Sequence, residues 1–260
     1  MYTEYWKLER KPFESAPDPE FFYHAPLHAE AFERLSRLIV GRQGAGVLTG
    51  ACGSGKTMLL KVLDAELDLE RFPVVTLKFP RLTGEQAARE ILRQLDVEPS
   101  DDPEERKERL GERLLATSLE GGHTLVIVDE AHIISHDEVL EELGRLLDFR
   151  LDGEFMATLL MVGEPAVLQR VARKPRFDQR LVVRQHLDPL DTHQTHAYIG
   201  YRLEVAGADR PLFTEGAVEH VHARTGGVPR EINSMCDMSL MVGARKRAER
   251  ITEEIARMVA

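Results

Sequence analysis

The stretch Gly50-Ala51-Cys52-Gly53-Ser54-Gly55-Lys56-Thr57 constrains this chain more than any other. Its glycines permit backbone turns that residues carrying a Cβ resist, and a lysine and a hydroxyl follow at once. The flanks supply the setting such a loop requires. Gly46-Val47-Leu48-Thr49 is a short apolar run suited to a buried strand, and Met58 to Leu67 is rich in helix formers, with leucines at 59, 60, 63 and 67. A strand that feeds a glycine-rich loop and then a helix aims backbone N–H groups and the positive end of the helix dipole at one spot, which suits phosphate oxygens. In this G-x-x-x-x-G-K-[ST] pattern Gly50, Ala51, Cys52, Gly53, Ser54 and Gly55 form the cradle, with Met58 just beyond it. Lys56 reaches the β and γ phosphates, and Thr57 holds Mg2+.

A second element of the same chemistry follows about seventy residues later. Thr124-Leu125-Val126-Ile127-Val128 reads as a buried strand that runs straight into Asp129-Glu130. That order puts Asp129 at the carboxyl edge of a parallel sheet, where it can hold Mg2+ or its water, and leaves Glu130 to polarise an attacking water. The two motifs, with a strand pattern between them, point to a nucleoside-triphosphate hydrolase.

The remaining pattern predicts the fold. Residues 5–27 are rich in aromatics and prolines and read as an irregular segment that wraps a surface. Helices are expected over 28–42, from a Thr83 cap to Leu95, over 104–119 and over 137–149, and a short one from Pro165. Strands are expected over 74–79 and 155–162, with 181–187 as an edge strand. Strands that alternate with helices imply an α/β fold, a five-stranded parallel sheet sandwiched by helices. After Pro189 the pattern is helical, near 192–206, 214–224, 228–247 and 252–259, with breaks at Gly207 and Gly226-Gly227. The expected organisation is therefore a lead-in at 1–27, a phosphate-loop core at 28–190 and a small helical lid at 191–260.

Charge and composition narrow the partners. The 260-residue chain carries a formal net charge of −10. Before Asp191 there are 34 acidic and 25 basic residues, and from Asp191 onward 10 and 9. Wrapping nucleic acid requires clustered cations, and the one dense run is Arg245-Lys246-Arg247 with Arg250. A solvated helix face accounts for such a run as well as a DNA or headgroup contact does. No apolar run approaches the length of a membrane span, and Met1-Tyr2-Thr3-Glu4 lacks the basic and apolar regions of a signal peptide. Cys52 and Cys236 make neither a disulfide framework nor a metal set. A cytoplasmic protein with reduced thiols is expected.

The motifs together resemble the AAA+ ATPase domain of the ExeA/GspA (general secretion pathway protein A) family over almost the whole chain. The resemblance is carried by Lys11-Pro12-Phe13 with Ala16-Pro17-Asp18-Pro19-Glu20-Phe21-Phe22, the phosphate loop, Asp129-Glu130-Ala131-His132 and Val162-Gly163-Glu164-Pro165. Gln179-Arg180, Tyr198-Ile199, Arg202-Leu203 and Gly227-Val228-Pro229-Arg230-Glu231-Ile232-Asn233 complete it. The last of these is the most diagnostic, because generic phosphate-loop proteins lack it.

The resemblance implies an AAA+ phosphate-loop ATPase that uses ATP and Mg2+. It implies that Arg230 is the second sensor, a cation closing onto the γ phosphate, and that Arg180 is an arginine finger reaching a neighbour's nucleotide. Phe13 or Pro12 would lie against adenine, packing on the sheet being the alternative. Glu164 stands where the family has glutamine at the first sensor, and Asp148 where it has asparagine. A carboxylate at the sensor accepts a hydrogen bond from water but repels phosphate, so slow hydrolysis is an expectation. His132 is a weaker site residue. The implied partners are further copies of the same chain in a ring or filament, and a client protein of an envelope secretion or pilus machine, reached from the cytoplasm or at the inner membrane. Relatives of that kind continue into a membrane span and a peptidoglycan-binding domain, neither of which lies within residues 1–260. The alternatives are an ATP-dependent DNA-binding regulator of transposition, which the acidic core disfavours, and a nucleotide-gated scaffold with slow turnover.

Overall fold

The computed structural model describes residues 2–66, 72–78 and 81–259. Leu67 and Phe79, expected at the ends of a helix and a strand, lie outside the described residues. From the N-terminus come helix α1 (Tyr2–Trp6), a 3-10 turn (Pro19–Phe21), α2 (Pro26–Val40), β1 (Ala45–Gly50) and α3 (Lys56–Glu66). Then follow β2 (Val74–Leu77), α4 (Gly84–Gln94), α5 (Pro103–Leu119), β3 (Thr124–Val128) and α6 (Asp137–Leu146). A hairpin of β4 (Arg150–Leu151) and β5 (Glu154–Phe155) precedes β6 (Ala157–Gly163), α7 (Ala166–Ala172), α8 (Pro175–Asp178) and β7 (Leu181–Leu187). The chain finishes with α9 (Thr192–Val205), α10 (Glu215–Thr225), α11 (Pro229–Lys246) and α12 (Glu253–Arg257).

Local chemistry sets many of these boundaries. Thr83 and Gln86 form a capping box at the start of α4, and Asp191 and Gln194 form another at α9. Asp102 caps α5 ahead of Pro103, whose missing N–H costs nothing at a first helical position. Gly226, at φ +57°, terminates α10, and Pro229 opens α11.

The chain forms two compact units. One comprises Glu30–Gly50 and Leu63–His186, and the other the described residues of Met1–Ala29, Ala51–Val62 and Leu187–Ala260.

The first unit holds the five-stranded parallel sheet, in the order β2-β3-β6-β1-β7. Its register aligns Leu77, Val128, Met161 and Val47 across four strands, and all four are buried. β1, β3 and β6 are buried at every position, as strands covered on both faces must be, whereas β7 alternates and exposes Val182 to 59% as an edge strand does. Because the strands are parallel, the carboxyl ends of β1, β3 and β6 share one edge, with Thr49 opposite Gly163.

Two expectations are corrected in this unit. The helix expected to reach Phe149 ends at Leu146, and the strand expected to start at Phe155 starts at Ala157. The intervening residues form the β4–β5 hairpin, turned by Asp152 and Gly153 at φ +51° and +88°. An Asp-Gly pair is the common chemistry of a tight hairpin, which requires positive φ at both central positions.

His123, just ahead of β3, is fully buried beside Thr158, its Nε2 lying 2.8 Å from the hydroxyl. Burial, reinforced by Arg42, pushes its pKa down to about 4. The folded protein therefore keeps this ring neutral where the unfolded chain binds a proton. Stability is expected to be unaffected above about pH 6.5 and to fall as the pH drops from there to about 4, by up to about 3 kcal/mol. Denaturant unfolding of wild type and His123→Gln at pH 7 and pH 4.5 checks this; the acid loss is expected to shrink in the variant.

In the second unit the aromatic lead-in packs into the helical core. Trp6, Phe13 and Phe21 are buried with Phe213, Ile232 and Leu240. Trp6 donates its indole N–H to the Leu240 carbonyl at 3.0 Å, and the backbone N–H of Glu9 donates to Ala206 O at 2.9 Å. The 3-10 turn, capped by Asp18, lies within the segment 5–27 expected to be irregular, and α1 reaches into that segment with Tyr5 and Trp6. Arg202 is buried here, with Nε donating to the Pro12 carbonyl at 2.6 Å and Nη1 to the Tyr198 hydroxyl at 2.9 Å, and its guanidinium lies 4.7 Å from the Phe21 ring centre. A buried cation satisfied by carbonyls and aromatic faces fixes the lead-in to α9. No helix among the described residues is long and apolar enough to cross a membrane.

Candidate functional site

Ala51 to Met58 belong to the helical unit, and the structure gives the loop there the shape its sequence predicts. Gly53 and Gly55 adopt φ +82° and +100°, conformations that a side chain strains. A Cβ on Gly53 would also come within 2.8 Å of Arg230 Cβ and 3.1 Å of Val228 Cγ1. The glycine therefore permits both the turn and the close approach of the α11 N-terminus. The Arg230 N–H donates to the Gly53 carbonyl at 3.3 Å, and its Nη1 lies 3.1 Å from Cys52 Sγ. Arg230 and Cys52 are exposed, so this guanidinium is a solvent-accessible cation beside the loop.

Lys56 is buried at the start of α3, and its ammonium donates to the Ala51 carbonyl at 2.8 Å. Thr57, the next residue, is exposed. Sequence reasoning did not identify His28. Its Nε2 lies 2.9 Å from the Ser54 carbonyl, which only accepts, so Nε2 carries the proton. Burial lowers the pKa of this ring, against the effect of the Ser54 hydrogen bond. Nothing in the local pattern relates positions 28 and 54, which explains why the sequence was silent. The Ser54 hydroxyl and His28 Nδ1 are buried without a hydrogen-bond partner among the described residues. Phe13, considered for a place against adenine, is 2% exposed and lies edge-on to Phe213.

The acids belong to the sheet unit. Asp129 follows β3; its N–H donates to the Leu77 carbonyl at 3.0 Å, and its Oδ1 accepts from the Glu130 N–H at 2.9 Å. Glu130 adopts φ +53°, ψ +39°, a left-handed conformation that costs a non-glycine residue about 1 kcal/mol or more and is over-represented at functional sites. A short 3-10 turn over Ala131–Ile133 follows, and it sets His132 beside both Glu130 and Glu164. Glu164 is the first residue after β6, at the same sheet edge.

Arg180 lies just before β7. Its Nη2 pairs with Asp148 Oδ1, and Nη1 donates to the Gly144 carbonyl at 2.6 Å, near the end of α6. The two positions singled out separately, Arg180 and Asp148, are thus partners in this chain. The basic run lies at the end of α11, where Arg245, Lys246, Arg247 and Arg250 are exposed and Arg250 also donates to the Phe213 carbonyl at 2.9 Å.

The donors fit a nucleotide triphosphate: a loop with two left-handed glycines, buried polar groups beside it, a lysine at a helix start and a nearby guanidinium. No group of three or more His, Cys, Asp or Glu among the described residues could hold a metal ion. A magnesium ion takes most of its ligands from phosphate and water, so such an ion does not require a cluster of this kind.

A family model described as "AAA domain" matches residues 39–171. General secretion pathway protein A of Aeromonas hydrophila is 32% identical over 96% of this chain, and the chain spans 46% of that relative. Among solved structures, the Aeropyrum pernix ORC2 protein in ADPNP and ADP complexes superposes with a TM-score of 0.72 at 18% identity, over 96% of this chain and 70% of that one. The Thermotoga maritima RuvB branch migration motor gives 0.61 at 17% identity, over 96% and 72%. At such identities the two structures attest the fold.

Proposed function

This chain belongs to the AAA domain family, a phosphate-loop ATPase related to general secretion pathway protein A, and we propose that it hydrolyses ATP with Mg2+ in an assembly completed by Arg180 from a neighbouring copy. The work it powers is the assembly or operation of a secretion or pilus machine of the cell envelope, from the cytoplasm or while attached at the inner membrane. The observation that carries this is the 32% identity over nearly the entire chain, which extends through the lead-in and the helical end beyond the family core at 39–171.

The residues divide the work. The loop from Gly50 to Gly55 offers N–H groups to phosphate, and Lys56 supplies ground-state charge. Thr57 and Asp129 are the residues that would hold a magnesium ion, which would supply neutralising charge to the phosphates. Glu130 orients the attacking water. Arg230 closes on the γ phosphate from within the chain, and Glu164 accepts a hydrogen bond from water at a cost in phosphate repulsion. The helical residues from 191 act as the lid.

Assembly and the choice of partner are tested together. Glu130→Gln incubated with ATP and Mg2+ should form oligomers in light scattering that disperse on nucleotide removal; an unchanged monomer at every concentration would remove the assembly. Duplex DNA should not be retained at physiological salt, because a chain with a formal net charge of −10 is repelled by phosphates. ATP-dependent filaments on DNA that require Arg245, Arg247 and Arg250 would move the assignment to transposition.

A further inference from the structure

His132 occupies a position that no assigned role uses. Its Nδ1 lies 3.4 Å from Glu130 Oε2 and 3.3 Å from the Glu164 backbone nitrogen. The two contacts make opposite demands on one atom. The amide N–H of Glu164 can only donate, so it requires a bare Nδ1, whereas the Glu130 carboxylate accepts and requires Nδ1 to carry hydrogen. A neutral imidazole has one such hydrogen and satisfies one partner at a time. Gly163 leaves the ring room to lie this close to the end of β6: a Cβ there would stand 3.0 Å from the His132 N and 3.1 Å from Nδ1. Glu130 carries its side chain from a left-handed backbone, which sets where the chain to the carboxylate begins.

We propose that His132 is a positioning residue for hydrolysis, its Nδ1 exchanging between the Glu164 amide and the Glu130 carboxylate that faces the water. This rests on Glu130 acting as the acid that orients water. With the hydrogen on Nδ1, the ring holds Oε2 and leaves Oε1 for water, as a third group orients the base of a catalytic pair. With Nδ1 bare, the ring is anchored to the end of β6 and the carboxylate is unheld. Displacement of Glu164 therefore alters the aim of Glu130, so the sensor position and the water-facing acid communicate through one imidazole.

Replacing the δ nitrogen separates this role from space-filling. His132→Ala and His132→Phe are expected to lower kcat about tenfold or more, the usual range for losing an orienting partner, with KM and the binding of a fluorescent ATP analogue unchanged. His132→Asn keeps a donor or acceptor at the δ position and should recover most of the rate. His132→Gln places its amide one atom too far and should not. Phe or Gln matching wild type, or Asn failing where Gln succeeds, would overturn the proposal. If wild type itself neither binds nor hydrolyses ATP, the failure lies in the underlying assignment; if wild type turns over and His132→Ala matches it, the failure lies here.

Discussion

Glu130→Gln is expected to bind ATP and Mg2+ as wild type does and to hydrolyse about 10² to 10⁴ times more slowly, the range spanned by loss of a positioned proton acceptor. The substitution is isosteric and removes only the group that takes charge as water attacks, so its cost falls on the transition state. Lys56→Ala should behave oppositely. The ammonium acts on the ground-state phosphates, and Lys56 is the buried residue at the start of α3, so its loss should abolish detectable nucleotide binding. Titration with a fluorescent ATP analogue and steady-state phosphate release, run on both variants, separate the two effects. Equal nucleotide affinity in wild type and Lys56→Ala would remove the loop from the site.

Arg180→Ala should lower kcat by about 10³ while ATP affinity stays nearly intact, because an arginine finger contributes charge only as the γ phosphoryl group departs. In this chain the guanidinium is engaged with Asp148 and the Gly144 carbonyl. Donation in trans therefore requires a neighbouring site to compete with a half-exposed ion pair, and such pairs contribute about 0 to 1 kcal/mol. The same small figure predicts that Arg180→Ala leaves the melting temperature almost unchanged, so a lost rate cannot be ascribed to unfolding. Turnover per subunit should rise with protein concentration in wild type. A flat profile across a wide dilution series, in a protein that stays monomeric, would exclude action between subunits.

The sequence by itself determined the features whose causes lie within a few residues. The strand-loop-helix setting of Gly50 to Thr57, the buried strand ending at Asp129, the Thr83 cap and the helices after Pro189 each follow from local hydrogen bonds or side-chain period, and the structure reproduces them. The Asp152-Gly153 hairpin obeys the same local rule, but Phe155 and Met156 continue the apolar run of β6 and mask the turn in the sequence. Only the tertiary structure decided the strand order, the burial of Phe13, the His28 contact with the loop, the Arg180–Asp148 pair and the shared nitrogen of His132. Those partners lie between 26 and 200 positions apart, except for His132 and Glu130, where a left-handed backbone rather than helical spacing turns the side chains together. Sequence distance carries no signal for such contacts, because they form when chain segments that are each stable locally are packed against one another to bury apolar surface.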